Sequence, residues 1–283
     1  MDKKERIVIF NQTQRCSKEW KYVNNNGDEV ELPREDYGMH FDDAKLYDYD
    51  ITREVKMLPD IPHYETEMTV ENRDCLYVAC ALVDEGYNPA VLNMASFKRP
   101  GGGVRDGSAA QEESLCRRTN LYESISRFDD QKLRHCYPLD INYGAIYSPV
   151  ISVFRLSEAD DCHYMLEPYT IDVITAAAIK DPETDGGRLS KKSRKVLKNK
   201  IRAILNLGIW YRNDSLVLGA FGCGAYRTPP EEMAQLFRSV LSEEPYAHAF
   251  KKIVFAVLDD QKAHQEHNPD GNYMPFVRVF GES

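Results

Sequence analysis

The sequence predicts an α/β protein with a largely parallel or mixed β-sheet. Apolar runs of strand length alternate with helical patterns between residues 69 and 260, and no linker or internal repeat interrupts them. Two of these runs end in glycine-rich loops that lead into a helix start. With 283 residues and a hydrophobic fraction of 42%, the chain can bury a sizeable core as one large domain or two small ones.

The N-terminal part has weaker patterns. Residues 3–20 predict a helix that ends before the polar turn signal of residues 24–27, and residues 30–32 predict a short strand. Residues 33–68 are rich in Asp, Glu, Pro and Tyr without clear periodicity, so we expect irregular structure there. We therefore expect residues 1–64 to form a helical and irregular extension that packs on a core domain of residues 65–283.

The core is predicted to alternate between helices and strands. The expected helices are residues 73–85, 109–128, 189–207 with Gly208 as the closing residue, and a segment from Thr228 onward. The expected strands are residues 90–96, 143–154, 169–179, 215–221 and 253–258. Because Pro149 cannot donate to a strand ladder, residues 143–154 are expected to form an edge strand or two separate strands.

The first glycine-rich loop contains Gly101, Gly102 and Gly103 and follows the strand of residues 90–96. Without Cβ atoms this backbone can adopt positive φ and let a ligand approach its amides. Ser108 and Gln111 have the spacing of a capping box, which predicts a helix start near Ala109 with Glu112 and Glu113 in its first turn. A helix N-terminus favours anions, so the glutamates either complement the helix dipole or act on a ligand held by the loop.

The second glycine-rich loop, residues 219–227, follows a strand and precedes Thr228-Pro-Pro-Glu231, which predicts a helix with Thr228 as its N-cap. Ligands of open α/β sheets bind outside the carboxyl ends of strands, and glycine turns before helices bind phosphates through backbone amides. Two such loops indicate a phosphate-bearing ligand beside a carboxylate. Ordinary tight turns would give the same local pattern.

Charge and cysteine content narrow the class of protein. A net charge of −9 argues against a broad surface for nucleic acid. Residues 188–202 predict a helix with a basic face, which is either a solvated surface or a contact for a polyanion. Seven cysteines without a C-x-x-C pair indicate reduced thiols, and the N-terminus shows neither a signal peptide nor a membrane span. We therefore expect a cytoplasmic protein without membrane contact.

Two other candidate sites have simpler interpretations. His264 and His267 are three residues apart, but Asn268-Pro269 follows at once and no third ligand is evident, so a solvated loop is favoured over a metal site. Cys223 lies in the second glycine-rich loop, where a lowered thiol pKa would make it reactive. Its small size, which suits close packing, is the favoured reason for its presence.

The combination of motifs closely resembles the poly(ADP-ribose) glycohydrolases, and in particular their short microbial branch. The resemblance covers roughly residues 65–260. It is carried by Gly101–Gly103, by Gln111–Glu113 seven residues further on, and by the segments Val91–Ser96, Tyr147–Pro149 and Gly219–Tyr226. It implies a macrodomain-like three-layer fold in which a mixed β-sheet lies between helices.

The resemblance also implies a role for individual residues. Glu113 would be the catalytic acid and base, and Glu112 would orient the ribose hydroxyls. The implied substrate-binding residues are Gly101, Gly102 and Gly103 against the scissile ribose, Gln111 shaping their loop, Asn93 near the distal ribose, Gly222, Cys223, Gly224 and Ala225 along the diphosphate, and Tyr226 over the ribose. The family often has Trp and Phe where this chain has Phe221 and Tyr226, so an aromatic ring is kept at both positions.

Glycosidic chemistry agrees with these roles. Cleavage of a ribose–ribose O-glycosidic bond needs a proton on the leaving oxygen and stabilisation of an oxocarbenium-like transition state. A glutamate with the ordinary pKa of about 4.3 is a poor acid at pH 7, and burial and the charge of Glu112 are expected to raise the pKa of Glu113. Because neighbouring helical side chains point about 100° apart, the two glutamates cannot straddle a sugar. One acid–base residue, assisted by the substrate's own diphosphate, is therefore expected, without metal or cofactor.

The expected partners are ADP-ribose, poly(ADP-ribose) chains and ADP-ribosylated proteins. Two alternatives stay open: a hydrolase that removes single ADP-ribosyl groups from a protein or nucleic-acid base, and a catalytically silent ADP-ribose-binding module. The Glu112-Glu113 pair argues against the silent module, since binding an anionic ligand does not need two adjacent carboxylates. Residues 97–99 and 33–68 are expected to form the leaving-group side of the pocket, which would separate polymer from single-unit substrates.

Overall fold

The computed structural model describes residues 1–33, 43–259 and 263–281. Residues 34–42, within the segment predicted to be irregular, lie outside this part of the chain. Within it, no helix is long and apolar enough to cross a membrane.

The described residues alternate between helices and strands, as the sequence predicts. Their α-helices are α1 (Lys3–Glu19), α2 (Thr52–Lys56), α3 (Cys75–Asp84), α4 (Gln111–Arg118), α5 (Leu121–Ser126), α6 (Lys191–Trp210), α7 (Pro230–Leu241) and α8 (Tyr273–Phe280). Their β-strands are β1 (Lys21–Val23), β2 (Glu29–Glu31), β3 (Lys45–Tyr47), β4 (Glu67–Glu71), β5 (Pro89–Met94), β6 (Ala145–Arg155), β7 (Tyr164–Ala176), β8 (Thr184–Asp185), β9 (Arg188–Leu189), β10 (Ser215–Leu218) and β11 (Lys252–Ala256).

Seven of these strands form one mixed sheet in the order β3-β6-β7-β5-β10-β11-β4. The pairs from β7 to β4 are parallel, whereas β6 pairs antiparallel with both β3 and β7. Parallel pairing follows from the helical crossovers that connect these strands. The mixed sheet predicted by the sequence is confirmed.

Helices cover both faces of the sheet. Along β5, Ala90 and Leu92 pack into a core that contains Ile201 of α6, because successive side chains point to opposite faces. Val91 points the other way, into a core that contains Leu115 of α4. The result is the helix–sheet–helix arrangement of a three-layer fold, and the macrodomain-like prediction is confirmed.

The N-terminal helix α1 begins as its sequence indicates. The side chain of Asp2 accepts a hydrogen bond from the Glu5 amide at 2.9 Å, and the Glu5 carboxylate accepts one from the Asp2 amide at 2.5 Å. This reciprocal capping box satisfies two of the helix's first donors. Further on, β3 joins the edge of the large sheet by pairing with β6. The division of the chain at residue 64 stays a prediction.

The prediction for residues 143–154 is wrong. These residues form most of β6, a single strand that lies between β3 and β7 and not at an edge. Pro149 sits where the register shifts between Ser148 and Ile151, so the ladder there needs no donor from it. Val150 leaves the ladder with φ of 53° and donates its amide to Asp172 instead, at 3.0 Å.

Three helix boundaries also differ from the predictions. The segment 109–128 forms two helices, because Thr119 adopts an extended conformation and bridges to Val153 of β6. Helix α6 continues through Gly208, whose missing Cβ leaves room for the Phe250 ring, so this glycine serves packing and not termination. Helix α7 begins at Pro230 with Pro229 at the N-cap position, so Thr228 is not the cap.

Candidate active site

Both glycine-rich loops leave the same edge of the sheet. Strands β5 and β10 are parallel neighbours, with Val91 opposite Val217, so the loops that follow them meet beyond their carboxyl ends. A cavity of about 850 Å³ lies between the loops and the N-terminus of α4. Its volume is in the range of small-ligand sites.

Glu113 lies in the wall of this cavity and is 8% exposed. Its Oε1 accepts a hydrogen bond from the Gly103 amide at 2.8 Å. Its Oε2 is buried and has no hydrogen-bond partner among the described residues. A Cβ on Gly102 would lie 2.6 Å from Oε1, so the loop can press its backbone on the carboxyl only because that position is glycine.

Glu112 fastens the first loop. Its Oε1 accepts from the Gly101 amide at 3.0 Å, and its Oε2 accepts from the Ser96 amide at 2.7 Å. Burial raises the pKa of Glu112 to about 8, the two amides oppose that shift, and the charge of Glu113 adds to it. The Glu112 carboxyl therefore holds its proton to a higher pH than a free glutamate does.

Gln111 connects α4 to the end of β5. Its side-chain amide donates to the Leu92 carbonyl at 2.7 Å, and its side-chain oxygen accepts from the Met94 amide at 2.8 Å. The predicted capping box is therefore wrong: the Gln111 side chain bonds to the sheet, and α4 begins without a side-chain cap. Ser108 packs instead on Gly103, where a Cβ would meet its hydroxyl at 2.3 Å.

The second loop presents backbone donors. The amides of Gly222, Gly224 and Ala225 bond to no acceptor in the described part of the chain, whereas the Cys223 amide donates to the Ala220 carbonyl at 3.0 Å. Burial raises the pKa of the Cys223 thiol, which keeps it neutral. At the edge of the cavity, the Tyr226 hydroxyl accepts a hydrogen bond from the Phe97 amide at 3.1 Å.

Most of the predicted site residues meet at this cavity. The residues that line it are Gly102, Gly103, Gln111, Glu112, Glu113, Gly222, Gly224, Ala225 and Tyr226. The predicted residues behind its wall are Asn93, Gly101 and Cys223, all of them buried. Asn93 donates to the Thr175 hydroxyl at 3.1 Å, and Gly101 faces the ring of Tyr122.

The sequence did not reveal a charge network beside the first loop. The buried guanidinium of Arg117 donates to the Ser108 carbonyl at 2.6 Å and to the Glu158 carboxylate. Glu158 lines the cavity and accepts from Arg6 of α1 at 3.0–3.1 Å. The network joins three segments that are distant in sequence, so no local spacing could have signalled it.

The C-terminal segment also reaches the cavity. Leu258 and Asn272 line it, and the His267 ring is 2.8 Å from the Cys223 carbonyl of the second loop. His264 contacts the Pro269 carbonyl at 2.9 Å. Among the described residues, no group of three or more His, Cys, Asp or Glu side chains could hold a metal ion.

The three-layer fold and a buried carboxyl in the wall of a cavity between two glycine-rich loops define a macrodomain-like hydrolase. The chain matches the family described as microbial-type PARG (poly(ADP-ribose) glycohydrolase), catalytic domain, over residues 11–156, just over half of its length. The match begins well before residue 65, where the resemblance read from the sequence began. No curated protein matches the chain.

Solved structures agree with the family match. Poly(ADP-ribose) glycohydrolase from Thermomonospora curvata is 27% identical, with a TM-score of 0.79 over 97% of this chain and 99% of that one. The same enzyme bound to the inhibitor ADP-HPD gives 27% identity and 0.76, over 96% and 98%. The enzyme from Deinococcus radiodurans in complex with ADP-ribose gives 28% and 0.66, over 84% and 93%. This chain belongs to the microbial-type poly(ADP-ribose) glycohydrolase family and is an enzyme of that type.

Proposed function

We propose that this protein hydrolyses the ribose–ribose O-glycosidic bonds of poly(ADP-ribose) to release ADP-ribose, with Glu113 as general acid and base. The arrangement of the Glu113 carboxyl carries the proposal. One oxygen is held by the Gly103 amide, and the other is buried beside the cavity without a partner in the described residues. The relatives solved with ADP-ribose and with ADP-HPD support a ligand of this class.

The reaction needs one carboxyl that changes its protonation state. Glu113 donates its proton to the leaving ribose oxygen as the bond from that oxygen to the anomeric carbon breaks. The resulting carboxylate then takes a proton from a water molecule whose oxygen bonds to the same carbon. Glu113 is thereby protonated again and can act as the acid in the next cycle.

The neighbouring groups hold the reactants in place. The amides of Gly222, Gly224 and Ala225 bind the diphosphate, because they point from a glycine-rich turn without acceptors in the described residues. The diphosphate in turn stabilises the positive charge that develops on the ribose. Tyr226 covers the ribose, Glu112 orients the ribose hydroxyls, and Asn93 supports the distal ribose from behind the cavity wall.

A contact between α6 and a polyanion is a separate proposal. Several cations of the basic stretch, residues 188–202, already bind groups within the protein. Lys200 is buried against the Asp140 carbonyl. Arg194 pairs with Glu232, and Arg202 pairs with Glu243. The exposed members are Arg188, Lys191, Lys192 and Lys195. Replacing these three lysines with alanine and measuring the salt dependence of polymer binding tests the contact; an unchanged dependence eliminates it.

The function is tested by product release from automodified poly(ADP-ribose) polymer, with Glu113→Gln beside the parent protein. Free ADP-ribose from the parent and none from the variant is the expected result. Polymer that is bound and left intact by the parent would redirect the function to single ADP-ribosyl groups on proteins or nucleic-acid bases. The predicted cytoplasmic location and ADP-ribosylated protein partners need separate experiments in cells.

A further inference from the structure

A cavity of about 340 Å³ adjoins the catalytic cavity and shares part of its wall, at Arg73, Asp74 and Ser157. Its remaining lining is mostly apolar and includes Cys80 of α3 and Met165 of β7. Burial raises the pKa of the Cys80 thiol to about 12, so this side chain stays neutral. The cavity is therefore a partly apolar pocket with charged side chains in its wall, and it opens beside the substrate site.

An aromatic ring and a guanidinium lie at the rim of this pocket. Tyr77 of α3 is 58% exposed, and the Arg73 guanidinium lies 5.0 Å from the centre of its ring. Exposed aromatic rings beside arginine bind nucleic-acid bases by stacking, without requiring a particular base sequence. A large exposed ring beside a substrate cavity thus fits a nucleotide base.

Guanidinium groups around the pocket offer donors to an anion. Three guanidinium groups line it, from Arg73, Arg118 and Arg155, against the two carboxylates of Asp74 and Asp160. Arg118 is held by both oxygens of Asp74 at 2.9 Å and Arg155 by the Cys162 carbonyl at 2.8 Å, so both guanidinium groups are fixed in position. Arg73 is exposed; its Nε lies 3.7 Å from the Glu71 carboxylate, and its terminal nitrogens can contact a phosphate.

We propose that this pocket, named here the accessory subsite, holds an adenine nucleotide unit of poly(ADP-ribose) adjacent to the unit in the catalytic cavity. The proposal rests on the proposed function, because only a polymer presents a second adenine and diphosphate tethered to the first. Tyr77 stacks on the base and Arg73 contacts the phosphate. The shared wall lets one chain occupy both cavities, so engagement of the second unit is intramolecular and adds to affinity.

The test compares ligands of one unit and of several units in a Glu113→Gln background, where the polymer is not consumed. Dissociation constants for ADP-ribose and for size-fractionated poly(ADP-ribose) are measured for that protein and with Tyr77→Ala, Tyr77→Phe or Tyr49→Ala added. Tyr49 belongs to the segment expected on the leaving-group side, but it lines neither cavity and is similarly exposed, at 50%, so it serves as the control. All these substitutions are at exposed positions, so the fold is retained.

Tyr77→Ala is expected to weaken oligomer binding about tenfold, in the range of one base stack, and to leave the ADP-ribose constant unchanged. Tyr77→Phe and Tyr49→Ala are expected to bind oligomers like the parent. Oligomer binding that Tyr77→Ala does not change overturns the accessory subsite. A second ADP-ribose bound per chain and lost in Tyr77→Ala also overturns it, in favour of a site for a free nucleotide. Failure of the proposed function would differ: the protein with Glu113 intact would release no ADP-ribose from polymer.

Discussion

The backbone amide of Gly103 donates a 2.8 Å hydrogen bond to Oε1 of Glu113, and so the first glycine-rich loop is anchored to the side chain that it presents to the substrate. The other oxygen of that carboxyl has no partner in the described residues. One oxygen of the Glu113 carboxyl thus anchors the loop, and the other is available for proton transfer. Substitutions of Glu113 that remove only one of these two functions can therefore distinguish them.

Glu113→Gln and Glu113→Ala are expected to differ in stability more than in activity. Both remove the transferable proton, so ADP-ribose release should fall by a factor of about 10²–10⁴ or more. Glutamine keeps an oxygen that accepts from Gly103, whereas alanine leaves that amide unpaired, which lowers the free energy of unfolding by about 1–3 kcal/mol. Initial rates and urea unfolding measure the two effects. Wild-type turnover by Glu113→Gln would show that the acid–base assignment is wrong.

Gly102→Ala is expected to reduce turnover far more than the matched change Gly186→Ala. The two glycines have φ of 53° and 55°, so both variants bear the strain of a left-handed alanine, about 1–2 kcal/mol. At Gly102 the new Cβ would also meet Glu113 Oε1 at 2.6 Å, whereas at Gly186 it would meet no described atom within 4 Å. Steady-state kinetics and thermal unfolding of both variants provide the comparison. Equal losses of activity would mean that contact with Glu113 is unimportant.

Glu112 is expected to make the fold less stable as the pH rises. Burial raises its pKa from 4.5 to about 8 in the folded protein, so the folded state holds this proton more tightly than the unfolded chain. The resulting stabilisation is complete below pH 4.5 and is lost as the pH rises through 8. Because glutamine resembles the protonated Glu112 side chain and does not titrate, the parent should lose unfolding free energy relative to Glu112→Gln as the pH rises between these values. A difference that stays constant with pH would disprove the shift.

The sequence predicted the parts of this site that are local in the chain. Gly101–Gly103 and the Glu112-Glu113 pair follow one another within a single loop and helix start, and their spacing is visible without a structure. The second loop was likewise visible, because its glycines end an apolar strand. Strand alternation predicted the mixed sheet for the same reason.

What the sequence could not predict depends on side chains that choose distant partners. Gln111 had the spacing of a capping residue. Its side-chain amide instead forms hydrogen bonds with the backbone of Leu92 and Met94 at the end of β5 and not with the helix terminus. Thr119 ended a predicted helix because β6 offered it a bridge at Val153. For Gln111 a tertiary hydrogen bond replaced the local one, whereas Thr119 keeps its amide bond to the Leu115 carbonyl at 3.0 Å and ends the helix through its extended backbone.

Arg117 anchors the first loop at Ser108, the end opposite to Gly101. Its guanidinium, fully buried, donates to the Ser108 carbonyl and to Glu158, and Glu158 is held in turn by Arg6. Arg117→Met should leave that carbonyl unpaired and free the loop to move away from Glu113. We expect kcat to fall about tenfold or more with little change in KM, because positioning for the transition state is lost and not ground-state binding.

Stability provides the internal control for this prediction. Without Arg117, Glu158 still pairs with Arg6, so no buried charge is left without a partner. The loss in unfolding free energy should therefore be about 1–3 kcal/mol. Arg15→Met is the matched control, since Arg15 pairs with Glu19 on the exposed surface of α1, where solvent screens such a pair and it contributes little to stability. If a folded Arg117→Met protein turned over polymer at the rate of Arg15→Met, the network would stabilise the fold without positioning the loop. A loss confined to kcat would instead place Arg117 among the residues that hold Glu113 ready for proton transfer.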